Sequence, residues 1–150
     1  MIKRFFNGLV VVSFLFMAYG CGDQPAPFQS EIIIYPDKVE ISDASPTLNI
    51  STQYFRIVLT KKDINEKPLP VNGTEIWITF IWAIPDSIGV VQLYDGDTPV
   101  DSPMSVKTDK DGVYNLRVDF QHGEGLEYSG DVEVSSGSAF GSAGFSVDAG

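Results

Sequence analysis

Hydrophobic residues fall into two kinds of pattern along this chain. Near the start they form one long block, interrupted only by Asn7, Gly8 and Ser13. Beyond residue 30 they come in short runs of 4–8, bounded by Gly, Pro, Asn and Asp, and many alternate with polar residues. The clearest alternation is VYNLRVDF, Val113 to Phe120, with Tyr114, Leu116, Val118 and Phe120 set against Asn115, Arg117 and Asp119. A period of two places successive side chains on opposite faces, the mark of a half-buried antiparallel strand. YFRIVLT (Tyr54 to Thr60) puts Phe55, Ile57 and Leu59 on one face, DVEVS puts Val132 and Val134 together, and AGFSVDA pairs Phe145 with Val147. TEIWITFIWAI, Thr74 to Ile84, is apolar on both faces and predicts a central strand. EIIIYP, VEI, LNI, VVQLY and MSVKT add shorter strands. No segment sustains a helical period. Eight or nine short strands, with turn signals every 8–12 residues, predict an all-β chain folded as a single antiparallel β-sandwich.

The apolar block has a different meaning. Lys3 and Arg4 precede it, and its core, Leu9 to Ala18, broken only by Ser13, is too short to span a bilayer, which takes about 20 residues. A positive start, a short apolar core and small residues at its end describe a secretory signal peptide over residues 1–20. The only cysteine, Cys21, follows in MAYGCGD. This stretch resembles the lipobox of bacterial lipoproteins, in which the chain is cut before a cysteine that then carries lipid. The resemblance implies cleavage between Gly20 and Cys21, fatty acylation at Cys21, and a protein held at the cell membrane or outer membrane on its extracytoplasmic side. Cleavage at the same bond by ordinary signal peptidase, without lipid, is the rival reading. A prepilin cut at Gly8 would want a glutamate where Ser13 stands. Residues 21–30, CGDQPAPFQS, read as a short Pro-rich tether, and 31–150 as the folded domain.

Charge narrows the partners. All 20 acidic residues but only 8 of the 10 basic ones lie after residue 20, so the mature net charge is 8 − 20 = −12. That argues against nucleic acid and against electrostatic attraction to anionic lipid heads. With Cys21 lipidated no disulfide can form. With one histidine a structural zinc site lacks its usual ligands, so no cofactor or metal is expected.

Two further motifs point to a family. VLTKKDINEKPLPVNGTEIWITF and VKTDKDGVYNLRV resemble bacterial immunoglobulin-like domains of the invasin and intimin type. In these an Asp-containing turn and a Pro-Leu segment lead into a long apolar strand, and a T-D-x-x-G turn feeds an alternating one. Asp63, Pro68, Leu69 and Pro70, then Thr108, Asp109, Asp111 and Gly112, occupy those positions. The resemblance implies an Ig-like sandwich. It implies for function a structural, adhesive or protein-interaction role at the envelope.

Candidate chemistry is sparse. Asp95, Asp97 and Asp101 lie within seven residues, with Asp109 and Asp111 nearby. Closely spaced carboxylates suit Ca²⁺, but ordinary turn chemistry explains the same spacing. His122 has Glu124 and Glu127 close by in sequence, without a nucleophile elbow, so no catalytic residues are expected. Trp77 and Trp82 stand an odd number of positions apart and fall on opposite faces of one strand. One is expected in the core and the other at a surface, where it offers a contact for a partner or a glycan. SSGSAFGSAG reads as a flexible loop before the last strand.

Overall fold

The computed structural model describes residues 25–82 and 90–150. The expected signal peptide with Gly20, and Cys21 with the next three residues of the expected tether, lie outside the described residues. Among those described there is no helix, and eleven strands form two packed sheets. In chain order these are β1 (Ser30–Tyr35), β2 (Lys38–Ser42), β3 (Asn49–Lys62), β4 (Pro68–Pro70), β5 (Glu75–Trp82) and β6 (Val91–Asp95). They are followed by β7 (Thr98–Val100), β8 (Met104–Lys107), β9 (Val113–His122), β10 (Tyr128–Ser136) and β11 (Ala139–Asp148). Sheet 1 runs β1-β3-β9-β6-β7, with β4 added to the end of β3. Sheet 2 runs β2-β11-β10-β5-β8. The result is an Ig-like β-sandwich.

The alternation read from the sequence sets which faces meet. Phe55, Ile57 and Leu59 of β3 and Leu116, Val118 and Phe120 of β9 point inward from sheet 1, all with no exposed surface. Ile76 and Ile78 of β5 and Val132 and Val134 of β10 close on them from sheet 2. Phe80, Trp82, Phe120, Tyr128 and Phe145 form an aromatic cluster between the sheets, with ring centres 5.3–6.5 Å apart.

Three features differ from the sequence reading. First, the sandwich is not wholly antiparallel. β1 pairs antiparallel with β3, the chain turns at Pro36, and β2 crosses to pair parallel with β11. Second, SSGSAFGSAG is no loop: Gly137 and Ser138 are the tight turn of the β10–β11 hairpin, and the rest is strand. Gly141 lies against β1, where a Cβ would stand 2.8 Å from the Ile32 carbonyl oxygen. Third, the expected tether is docked over its last residues. Ala26 is buried, and its N–H donates to Ser136 Oγ at 2.9 Å.

Two turns share one design. In Asp63–Lys67 and again in Asp109–Val113 the Asp Oδ1 accepts two backbone N–H groups, from the residues two and four places on, at 2.8–2.9 Å. Each turn closes with backbone bonds between its first and last residues and places its fourth residue at positive φ. That residue is Gly112 in one and Glu66, at φ 61°, in the other. A left-handed non-glycine costs roughly 1–2 kcal/mol, part of which glycine's extra freedom in the unfolded chain offsets. Glu66→Gly is therefore expected to stabilise the domain by about 0.5 kcal/mol, or roughly 2 °C in Tm by scanning calorimetry. An unchanged or lower Tm would contradict this account of the turn.

Candidate interaction faces

Each sheet turns one face outward, and the register of the strands sets what it displays. On sheet 1 one row runs Tyr54–Arg117–Tyr94–Pro99 across β3, β9, β6 and β7. The next row runs Tyr35–Arg56–Asn115 across β1, β3 and β9. Tyr35 and Tyr54 are more than half exposed. The Arg117 guanidinium lies 4.2 Å from the Tyr94 ring centre, is bonded to Asp119 at 3.0 Å and approaches Asp97 at 3.7 Å. The Asp119 hydrogen bond is the largest influence raising the Arg117 pKa. Desolvation pushes Asp119 up, but hydrogen bonds from Thr52 (2.7 Å) and Arg117 outweigh it and hold its pKa below the usual carboxylate value. Arg56 is exposed, and its side chain makes no ion pair or hydrogen bond among the described residues. It and Arg117 are the only arginines after residue 20.

On sheet 2 the outward row is Ser105–Trp77–Ser135–Phe140, across β8, β5, β10 and β11. Trp77 and Phe140 are about half exposed, with a serine between them. Trp82 faces the other way, into the aromatic cluster, with its ring 5.6 Å from Phe145 and edge-on to it.

The acidic residues of the β6–β7 region separate. Asp95 accepts the Tyr114 hydroxyl at 2.9 Å, Asp97 sits in the two-residue turn near Arg117, and Asp101 lines a cleft of about 400 Å³ with Phe80, Trp82 and Ser102. Asp109 is committed to its own turn. Among the described residues no three His, Cys, Asp or Glu side chains gather to hold a metal ion.

His122 finds a partner that sequence proximity does not suggest. Glu124 and Glu127 do not bond to it. Asp43, 79 residues away, does, with its Oδ2 2.6 Å from His122 Nδ1. The backbone N–H of Ser45 is the largest influence holding Asp43 below its ordinary pKa of 3.8, and the His122 bond comes next. The ionised carboxylate can only accept, so Nδ1–H donates. This pair ties the loop after β2 to the end of β9, and among the described residues no serine or threonine hydroxyl bonds to the His122 ring.

A depressed carboxylate pKa adds stability above the unfolded value, and that stability disappears as pH falls through the folded one. Asp43→Asn should thus lower the urea midpoint at pH 6 and reduce its further fall between pH 5 and pH 3. A variant whose acid sensitivity equals that of the wild type would show that Asp43 carries none of it.

No protein-family model and no curated protein matches the chain. Among solved structures it is similar to the ASH/PapD-like domain 7 of human CEP192, at 12% identity and TM-score 0.44, over 88% of this chain and 94% of that one. It is also similar to a family 123 glycoside hydrolase from Clostridium perfringens, at 9% identity and TM-score 0.46, over 80% of this chain. The matched region spans only 27% of the hydrolase. Likenesses this distant carry no argument about activity, and the strand pairings themselves define the sandwich.

Two elements of these faces were not visible in the sequence: the Tyr–Arg rows of sheet 1, which need the register of four strands, and Phe140, which stood in what looked like a loop.

Proposed function

We propose that this chain is a lipid-anchored protein of the bacterial cell envelope whose sandwich is a non-enzymatic protein-interaction module. The anchoring half rests on the lipobox resemblance at Gly20-Cys21. The invasin/intimin-type turn motifs support an envelope role. The observation that carries the interaction half is the outer face of sheet 1. Tyr35, Tyr54 and Tyr94 surround both mature arginines there, on rigid strands. Tyr and Arg dominate binding hot spots because they combine large contact area with hydrogen-bonding groups. Arg56, with its guanidinium unpaired, is available to fork onto a carboxylate of the partner.

Crosslinking in intact membranes followed by affinity capture tests this. The wild type is expected to enrich one defined envelope protein, and Tyr54→Ala with Arg56→Glu to reduce that enrichment about tenfold or more. Equal recovery by the variant would place the contact elsewhere. Metabolic labelling with an alkynyl fatty acid tests the anchor separately: Cys21→Ser should lose the label, and continued labelling would overturn the lipid assignment.

A further inference from the structure

We infer that the sandwich rests on the bilayer surface through the end at which the chain arrives, so that this end is a lipid-contacting surface. The inference builds on the anchoring reading above.

The strand pairings gather one end of the molecule from four stretches. Ala26 and β1's start lie beside the end of β3, which carries β4. Glu75 of β5 pairs with Lys107, and its carbonyl accepts the hydroxyl of Ser136, which also holds Ala26. Gly112 meets Leu59 and Val71 there. This proximal end displays Phe28, Ile64 and Leu69, with Phe28 85% and Ile64 98% exposed, and Trp77 and Phe140 stand beside it on the outer face of sheet 2. It also holds five of the six mature lysines: 61, 62, 67, 107 and 110.

Charge separates the two ends. The proximal lysines face Glu31, Asp63, Glu66, Glu75, Asp109 and Asp111, so that end is close to neutral. Two of those carboxylates, Asp63 and Asp109, are turned onto their own backbones. The distal end carries Asp43, Glu124, Glu127 and Asp148, and the lysine nearest to it, Lys38, is paired with Glu40 and within electrostatic reach of Asp148. An anionic bilayer repels the distal end and tolerates the proximal one.

Reach keeps this end beside the bilayer. Cys21 is five residues from the pinned Ala26, and extended chain spans at most ~3.6 Å per residue, so lipid on Cys21 holds this end within about 18 Å of the headgroups. Exposed apolar side chains that include an indole suit the interfacial layer, where an apolar body meets a wet rim.

The two tryptophans make a built-in test. Trp77 stands near the proximal end, and Trp82 lies five residues, or ~17 Å, further along the same strand. The lipid-modified full chain is reconstituted in vesicles of phosphatidylcholine and phosphatidylglycerol, with and without brominated acyl chains, and collected by flotation. Trp77 emission is expected to shift to the blue and to be quenched by the brominated lipid. The Trp77→Phe protein, which reports Trp82 alone, should be equally bright in both vesicles. Ile64→Asp with Phe28→Asp should weaken the quenching while the protein still floats. Floating protein with an unquenched Trp77, or with Trp82 quenched as strongly, overturns the proposal and leaves the anchor standing. A chain that carries no fatty acid and does not float overturns both.

Discussion

Gly112→Ala is expected to destabilise the domain by at least about 3 kcal/mol, lowering Tm by roughly 10 °C or more. Two costs combine at this position. Its φ of +72° charges any L side chain roughly 1–2 kcal/mol. A Cβ would also sit 2.6 Å from the Leu59 carbonyl oxygen and 2.9 Å from the Val71 nitrogen. Neither atom can yield cheaply, because Val71 N–H donates to that oxygen at 3.0 Å while Leu59 N–H donates to the Gly112 carbonyl at 2.8 Å. Gly112 stands where β4 and β9 meet along one side of β3, and a methyl group there forces the junction apart. Gly96 separates the two costs. It has φ +60° with nothing within 4 Å of the missing Cβ, so Gly96→Ala should lose only about 1 kcal/mol. Equal losses at the two sites would show that crowding at Gly112 contributes nothing.

Thr108→Val should cost about 2–4 kcal/mol although it keeps the side chain's shape. Thr108 is buried, and its hydroxyl bonds twice to the stretch before β5: it donates to the Val71 carbonyl at 2.8 Å and accepts the Thr74 N–H at 3.1 Å. Valine leaves both backbone groups without these bonds in a closed site, and unmet buried groups cost more than made bonds return. Thr108→Ser retains the hydroxyl and gives up a methyl group, at about 1 kcal/mol. The serine variant should therefore be the more stable of the two, with urea midpoints shifted and slopes unchanged. The reverse order would mean that Thr108 serves by filling space.

These two residues belong to the T-D-x-x-G stretch, and the sequence disclosed the turn chemistry there because it is local. Asp109, Gly112 and the strand they launch are read within six positions. The inward faces of β3, β9, β10 and β11 were legible for the same reason, since alternation is a property of neighbours. What escaped was set by pairing at long range. The Asp43–His122 bond joins positions 79 apart. Arg117 acquires Tyr94 and Tyr54 only through the register of three strands. Glycine and serine in 135–144 suggested flexibility, because composition alone does not show that β1 lies against Gly141 and leaves no room for a larger residue there. Trp77 and Trp82 were distinguished as a pair on opposite faces, but which of them looked outward depended on the side from which sheet 1 covers β5. The lysines at 61–67 and 107–110 belong to separate turns, and only the fold brings them to one end.

The change of sheet after β1 also has a mechanical consequence. β2 runs parallel to β11, so the start of β1 and the end of β11 lie at opposite ends of the strand axis. Tension applied between Ala26 and Asp148 then pulls along the strands. It loads the β1–β3 and β2–β11 hydrogen bonds together, in shear, where a pull across the strands would open them one at a time. A domain held at its first residues and tugged from beyond its last strand resists as a rivet does, by sharing load across every bond in the seam.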